Sequence, residues 1–315
     1  MKLVTFTRGP VPEVGVLDGG DHVVALRPAY ADLLRSRGIE AAQADALSET
    51  IFRDMVTFIG FGEWGKDEAR AAAGHADGGP HRLPLFEVTL RAPLQPVALR
   101  DCIAFETHLK NFYENINRAE IPPAFYEIPV YYKGNPSTVV GPGEDVPWPH
   151  YSQEWDYELE LGVVIGPSAH NVTKAEAESH IYGLTCFNDF SARDVLRKEI
   201  SIGLGPAKAK DFATGIGPWL VTRDEIDDLY DLEMVARVNG EEWSHGNSGQ
   251  IHWSFADIIT RMADSEPLRA GEIFGSGTVA FGCGLELGKY LEPGDVVELE
   301  ITGLGVLRNR VVSGA

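Results

Sequence analysis

The stretch Trp155–Gly166, with the sequence WDYELELGVVIG, constrains the fold of this chain more than any other. Side chains on a β-strand alternate between two faces, so Asp156, Glu158 and Glu160 share one face. The segment continues into GVVIG, which is apolar on both faces and typical of a central strand. Buried carboxylates need partners, and hard cations such as Mg²⁺ or Ca²⁺ prefer their oxygens. The pattern therefore indicates either a cation site or, if this face is solvated, an ordinary exposed surface.

The overall charge of the chain narrows the classes of partner. With 47 acidic and 27 basic residues among 315, the formal charge is −20, which disfavours nucleic acid and anionic membranes. No apolar run reaches the roughly 18 residues of a membrane-spanning helix, and the start MKLVTFTRGP lacks an apolar signal core. Three widely separated cysteines form neither a disulfide framework nor a zinc ligand set. We therefore expect a cytoplasmic protein that binds no nucleic acid and no membrane.

The pattern of the chain changes near residue 95. Before it, strand-like runs around a DGGD turn precede predicted helices at Ala29–Arg37, Ala41–Arg53 and Glu63–Ala73. Arg91–Pro96 then places two prolines within four residues, which predicts a boundary between a small α+β domain, residues 1–95, and a β-rich domain, residues 96–315. The strands predicted in the second domain are Glu158–Ile165, Gly217–Val221, Glu233–Val238, Gly277–Phe281, Val296–Ile301 and Val306–Val312.

Three further segments of the second domain carry candidate chemical groups. Asp189, in FNDFSARD, follows an apolar run and is either a ligand or a helix cap. His108 lies seven residues after Asp101. The segment Gly205–Thr214 contains Lys210 in a local concentration of basic residues, which form either a solvated surface or a cationic wall for an anionic substrate.

Taken together, these segments resemble one known family. The sequences DYELELGVVIG, NDFSARD, KDFATGIGPW and PLRAGEIFGSGTVAFGCGLELG are similar, in this order, to motifs of the fumarylacetoacetate hydrolase family. The resemblance spans roughly Arg100–Val297. It implies an α+β, β-rich fold: a mixed, barrel-like β-roll as the catalytic core, preceded by a small N-terminal α+β domain.

The resemblance also implies a metal site. The ligands that it implies are Asp101, Glu158, Glu160 and Asp189. Asp156 falls outside this ligand set. The implied cofactor is a divalent metal, Mg²⁺ in the first place, with Ca²⁺ or Mn²⁺ as alternatives.

Roles for the other site residues follow from the same resemblance. It implies that His108 is a general base oriented by Glu286, and that Lys210 stabilises a developing oxyanion. The substrate-binding residues that it implies are Tyr132, Arg193 and Thr278. Two positions depart from some members of the family: Leu196 stands where they carry a glutamine, and Ile200 where they carry a tyrosine. Both departures lie on the predicted substrate wall. They leave the predicted metal ligands unchanged, but they do not allow the identity of the substrate to be taken from the family.

The reaction implied is metal-dependent hydrolysis of a carbon–carbon bond in an acylpyruvate or other 1,3-diketo acid, as in fumarylacetoacetate. Alternatives on the same scaffold are a decarboxylase of oxaloacetate-type β-keto acids and a hydratase or isomerase of oxo-dienoic acids from aromatic catabolism. A metal-stabilised binding module without catalysis is a further alternative. The expected partners are a small anionic keto acid and a second copy of the chain in a homodimer. The bulky residues of the segment 109–125 predict a lid over the site.

Overall fold

The computed structural model describes residues 1–116 and 120–314. The first part of the chain forms an antiparallel meander followed by helices that cover it. Its elements are β1 (Lys2–Thr7), β2 (Glu13–Asp18), β3 (His22–Ala25), α1 (Leu26–Ser36), α2 (Ala41–Ile51), α3 (Met55–Gly60), α4 (Gly62–His75), β4 (Arg82–Pro84) and β5 (Thr89–Leu90). The glycines of the DGGD turn have positive φ angles, 62° at Gly19 and 84° at Gly20, which explains the tight β2–β3 connection.

The described residues of the rest of the chain form fourteen strands and five α-helices. Its elements are β6 (Leu99–Cys102), α5 (Glu106–Asn115), β7 (Tyr131–Gly134), β8 (Val139–Val140), β9 (Asp145–Trp148), β10 (Trp155–Asp156), β11 (Leu159–Ile165), α6 (Lys174–Ala177), β12 (Ile181–Asp189), β13 (Ser191–Ala192), α7 (Arg193–Ile202), β14 (Thr214–Thr222), β15 (Glu233–Val238), β16 (Glu241–Asn247), α8 (Phe255–Ala263), β17 (Ile273–Gly275), α9 (Gly284–Leu287), β18 (Val296–Ile301) and β19 (Gly305–Ser313). The predicted β-rich α+β fold is confirmed.

One mixed sheet of 12 strands organises the molecule. Its order is β4-β3-β2-β1-β14-β12-β11-β17-β6-β7, with β5 beside β1 and β8 beside β14. A five-stranded sheet, β16-β15-β18-β19-β9, and a short β10-β13 ribbon complete the described strands. Within the described chain the strands β4 and β7 do not pair, so the large sheet is an open roll and not a closed barrel.

The central strands of this sheet bring distant carboxylates together. Strand β11 pairs with β12, which places Leu159 opposite Asn188, and with β17, which places Gly162 opposite Gly275. Strand β17 runs parallel to β6, with Gly275 opposite Asp101. All seven residues of β11 are buried, which agrees with its apolar character on both faces. The register therefore sets the ends of β6, β11 and β12 side by side.

The predicted strand Gly277–Phe281 is wrong. The regular strand ends at Gly275, and the backbone then turns through positive φ angles of 81° at Gly277 and 57° at Phe281. A Cβ atom at Gly277 would lie 2.6 Å from the carbonyl oxygen of Cys102, so this glycine allows two backbone segments to meet. In this irregular turn Val279 and Ala280 are buried and Phe281 is half-exposed.

The N-terminal segment shares the large sheet with the rest of the chain. Strand β1 pairs with β14 through Lys2–Val221 and Leu3–Leu220. The buried face of α1 packs into one apolar cluster with residues of the later strands, among them Phe187. The domain boundary near residue 95 and the lid over 109–125 stay predictions, and residues 117–119 of that lid lie outside the described residues. Within the described ranges, no helix has both the length and the apolarity to cross a bilayer.

Candidate active site

Four carboxylates from three separate segments meet at the ends of the central strands. They are Asp101, Glu158, Glu160 and Asp189, and each offers an oxygen that lies within 4.8 Å of the others. All four side chains are buried. The structure therefore brings together the complete ligand set that the sequence predicts.

Small residues and fixed donors hold the carboxylates in place. A Cβ atom at Gly275 would overlap with Asp101 Oδ1 and Glu160 Oε2, so only glycine fits there. Glu160 accepts hydrogen bonds from the Gly277 amide at 3.0 Å and from the Thr278 hydroxyl at 3.3 Å. The Tyr132 hydroxyl donates to Asp189 Oδ2 at 2.8 Å. The predicted substrate residues Tyr132 and Thr278 thus contact predicted metal ligands.

The charge of this carboxylate cluster is only partly balanced. Lys210 Nζ donates to Glu158 and to Asp189, and the negative charges around it hold the pKa of Lys210 above its ordinary value against the opposing effect of burial. Burial, together with the neighbouring negative charges, raises the pKa of Glu160 well above its ordinary value. Burial also raises the pKa of Asp101. The raised pKa values of Glu160 and Asp101 reflect the crowding of four acids in a buried site.

The donor set fits a hard divalent cation. Asp101 Oδ1 and Asp189 Oδ1 are buried and have no hydrogen-bond partner. Unpaired buried carboxylate oxygens are costly, and a cation with oxygen ligands would satisfy both. The ligand set contains oxygen donors alone, which suits Mg²⁺, Mn²⁺ or Ca²⁺ more than zinc or copper.

A histidine–glutamate pair lies beside the cluster. His108 on α5 places its Nδ1 atom 2.8 Å from Glu286 Oε2 on α9. Glu286 also accepts from Asn111 Nδ2 at 2.7 Å, from the Phe281 amide at 3.1 Å and from Cys283 Sγ at 3.4 Å. Burial works to raise the pKa of Glu286, but His108 and these hydrogen bonds lower it below its ordinary value. Glu286 is therefore a fixed anion that orients the imidazole.

His108, Cys283 and Glu286 also lie close enough together to form a second group of metal-ligand type. Burial keeps the pKa of Cys283 well above its ordinary value, so its sulfur stays protonated and donates to Glu286. In this arrangement the thiol adds one more hydrogen bond to the carboxylate that holds His108.

Sequence reasoning missed the role of Asp156. This fully buried carboxylate accepts from Arg193 Nε at 2.7 Å and from the amides of Gly284 and Leu285 at 2.7 and 3.0 Å. Arg193 Nη1 in turn lies 2.8 Å from Glu158 Oε1. Asp156 and Arg193 thus connect a predicted metal ligand to the first turn of α9, which carries Glu286. The shared strand face of Asp156 and Glu158 was visible in the sequence, but the approach of α9 was not.

A cavity of about 270 Å³ opens beside these groups. The predicted site residues that line it are Asp101, His108, Tyr132, Glu158, Glu160, Arg193, Lys210 and Thr278. Asp189 and Glu286 do not line it: they lie behind Lys210 and His108 respectively, and contact them. The cavity thus collects the predicted base, metal ligands and substrate residues around one space.

Comparison with known proteins now identifies this arrangement. The family model described as fumarylacetoacetate (FAA) hydrolase, C-terminal, matches residues 100–312, which contain every residue of the site. The chain belongs to the fumarylacetoacetate hydrolase family. Its membership explains the order of the motifs from Asp101 to Glu286.

Named relatives of this family have different activities. The chain is 30% identical to the human mitochondrial oxaloacetate tautomerase FAHD2A, over 85% of this chain and 82% of the relative. Its fold matches fumarylacetoacetate hydrolase from Exiguobacterium antarcticum with a TM-score of 0.73 at 24% identity, over 99% of both chains. It also matches maleylpyruvate hydrolase from Sphingobium, crystallised with manganese(II) and pyruvate, with a TM-score of 0.73 at 21% identity over the full length of both chains. The comparisons therefore support a metal-dependent enzyme and leave the reaction open.

Proposed function

We propose that this protein is a hydrolase that uses a divalent metal, Mg²⁺ in the first place, to cleave a carbon–carbon bond in an acylpyruvate or related 1,3-diketo acid. The observation that carries the proposal is that His108, held by Glu286, lines the same cavity as Asp101, Glu158 and Glu160. A base whose orientation is fixed by a buried carboxylate is suited to activating water.

In the proposed reaction, some of the site residues bind the metal and His108 transfers protons. Asp101, Glu158, Glu160 and Asp189 would hold the metal, which when bound polarises the keto oxygens of a 1,3-diketo acid. Lys210 donates to Glu158 and to Asp189, and its positive charge acts to lower the pKa of both carboxyl groups. Its position among the carboxylates supports a role in ordering them as well as the predicted role in stabilising an oxyanion.

His108 moves the protons of the reaction. Its Nδ1–H donates to Glu286, which leaves Nε2 free to accept a proton from water. The water oxygen bonds to the acyl carbonyl carbon, the bond from that carbon to the adjacent CH₂ breaks, and the CH₂ carbon takes up a proton. The products are a carboxylic acid and pyruvate, so one water is consumed and no oxidant or reductant is needed.

A second candidate is keto–enol tautomerisation of oxaloacetate. The 30% identity to human FAHD2A favours it. In this reaction His108 would carry a proton between a carbon and an oxygen of the same substrate, without attack by water. Decarboxylation of oxaloacetate and hydration or isomerisation of oxo-dienoates are further outcomes that the same experiment distinguishes.

A substrate panel tests the proposal. Purified protein with Mg²⁺ is incubated with acylpyruvates, oxaloacetate and oxo-dienoates; products are identified by chromatography, and tautomerisation of oxaloacetate is followed by the ultraviolet absorbance of its enol. We expect acylpyruvates to yield pyruvate and a carboxylic acid. The His108→Ala variant should catalyse this cleavage about 10²–10⁴-fold more slowly while it still binds the metal. If oxaloacetate is tautomerised while acylpyruvates stay intact, the hydrolase proposal is wrong and the second candidate replaces it.

We also propose a homodimer located in the cytoplasm, following the family resemblance. Sedimentation of the purified chain tests the dimer, because a monomer at micromolar concentration would contradict it.

A further inference from the structure

Two helices, α5 and α7, each present a polar side chain followed by apolar side chains to the cavity. On α5, His108 and Phe112 are four residues apart and so lie on one face, one turn apart. On α7, Arg193, Leu196 and Ile200 share a face in the same way. On each helix the polar cavity residue, His108 or Arg193, comes first in the sequence. The apolar cavity residues follow it: Phe112 on α5, and Leu196 and Ile200 on α7.

The cations of the cavity are already neutralised. Among the described lining residues the permanent cations are Arg193 and Lys210. Arg193 pairs with Asp156 and Glu158, and Lys210 pairs with Glu158 and Asp189. Neither charge is available for a carboxylate at the far end of a substrate.

The apolar side chains Ile103, Phe112, Val130, Leu196 and Ile200 line the cavity together with the charged groups. Leu196 and Ile200 follow Arg193 along α7, so they lie successively farther from Arg193. From Arg193 to Ile200 the helix rises about 10 Å, at roughly 1.5 Å per residue. A substrate with its 2-oxo acid end at the carboxylate cluster therefore places its acyl end against Leu196 and Ile200.

We infer that the substrate carries a single carboxylate, at its 2-oxo acid end, and an uncharged aliphatic or aromatic acyl group. This inference rests on the proposed function. Among the described residues that line the cavity, a second carboxylate against these side chains would lose water without gaining a free cationic partner, which is unfavourable. Acylpyruvates with apolar acyl groups are therefore preferred over dicarboxylic ones.

A matched pair of probes tests the inference. Butanoylpyruvate and succinylpyruvate have acyl chains of four carbons that end in a methyl group and a carboxylate respectively. With the Mg²⁺-loaded enzyme we expect kcat/KM and calorimetric affinity to favour butanoylpyruvate at least tenfold. Tighter binding of succinylpyruvate would overturn the inference, even if both compounds are cleaved. A binding preference for butanoylpyruvate without cleavage of either compound would instead refute the hydrolase while supporting the substrate class.

A pair of variants locates the effect. Ile200→Arg introduces a cation on the cavity wall, and we expect it to shift the affinity ratio toward succinylpyruvate at least tenfold. Ile202→Arg is the matched control, since Ile202 ends the same helix, is 82% exposed and does not line the cavity. It should leave the ratio unchanged. Equal ratios in the two variants would show that this wall does not contact the acyl end.

Discussion

Replacing Glu286 with glutamine tests the histidine–glutamate pair most directly. The Oε1 atom of Glu286 accepts from Asn111 and from the Phe281 amide, and its Oε2 atom accepts from His108 and Cys283. A glutamine amide has one oxygen and one NH₂ group, so it cannot accept on both sides. A main-chain N–H cannot reverse its polarity, hence the amide oxygen is expected to stay toward Phe281.

The NH₂ group of the variant then faces His108 Nδ1. That nitrogen must become an acceptor, which moves the imidazole proton to Nε2 and blocks the atom that takes the proton from water. Loss of a general base costs about 10²–10⁴ in rate, and the wrong tautomer in a serine-protease triad costs about 10⁴. We expect kcat to fall by about 10³–10⁴, equivalent to about 4–5.5 kcal/mol of transition-state stabilisation.

The measurements are the steady-state rate with an acylpyruvate and the ¹⁵N NMR spectrum of His108, which reports the tautomer. Glu114→Gln is the matched control because Glu114 lies exposed on α5, on the side of the helix away from His108 and Phe112, and loses the same charge. The control should keep the wild-type rate. A Glu286→Gln variant that keeps kcat within about threefold, or whose His108 remains protonated at Nδ1, would refute the reasoning.

Three further predictions concern stability and metal binding. Asp156→Ala should lower the free energy of unfolding by about 3–5 kcal/mol in urea titrations, because it leaves the buried Arg193 without one partner; a loss below 1 kcal/mol would contradict this. Gly275→Ala should cost about 1–3 kcal/mol and weaken Mn²⁺ binding by calorimetry, whereas Gly74→Ala, where nothing lies within 4 Å, should do neither. Mg²⁺ at 100 times its Kd should raise the unfolding free energy by about 2.7 kcal/mol in the wild type and much less in Asp189→Asn; equal gains would place the metal elsewhere.

The sequence identified the site better than it identified the irregular backbone around it. The strand pattern pointed to Glu158 and Glu160 together with Asp156, whereas Asp101 and Asp189 were predicted as ligands only through the resemblance of the motifs to the fumarylacetoacetate hydrolase family. The turn at Gly277–Phe281 was not found, since its short apolar run Val279–Phe281 is compatible with a strand and its positive φ angles depend on tertiary contacts.

The contacts of Asp156 and Lys210 show the same limit. Both residue types were visible, but their partners lie far along the chain: the amides of α9 for Asp156, and Glu158 and Asp189 for Lys210. Only the three-dimensional register sets these distances. The roles of the site residues in catalysis therefore stay predictions, which the variants described above test.

The pairing of β1 with β14 has a consequence for anyone who wishes to dissect this protein. Residues 1–95 contain none of the proposed catalytic groups, which invites the design of a shorter catalytic fragment. Deleting them would turn β14 into an edge strand with unpaired main-chain groups, and would uncover Phe187, Ile216 and Leu220 on the face that the N-terminal helices cover. An open strand beside an exposed apolar surface is a template for intermolecular β-pairing. We expect such a fragment to aggregate, however complete its metal site.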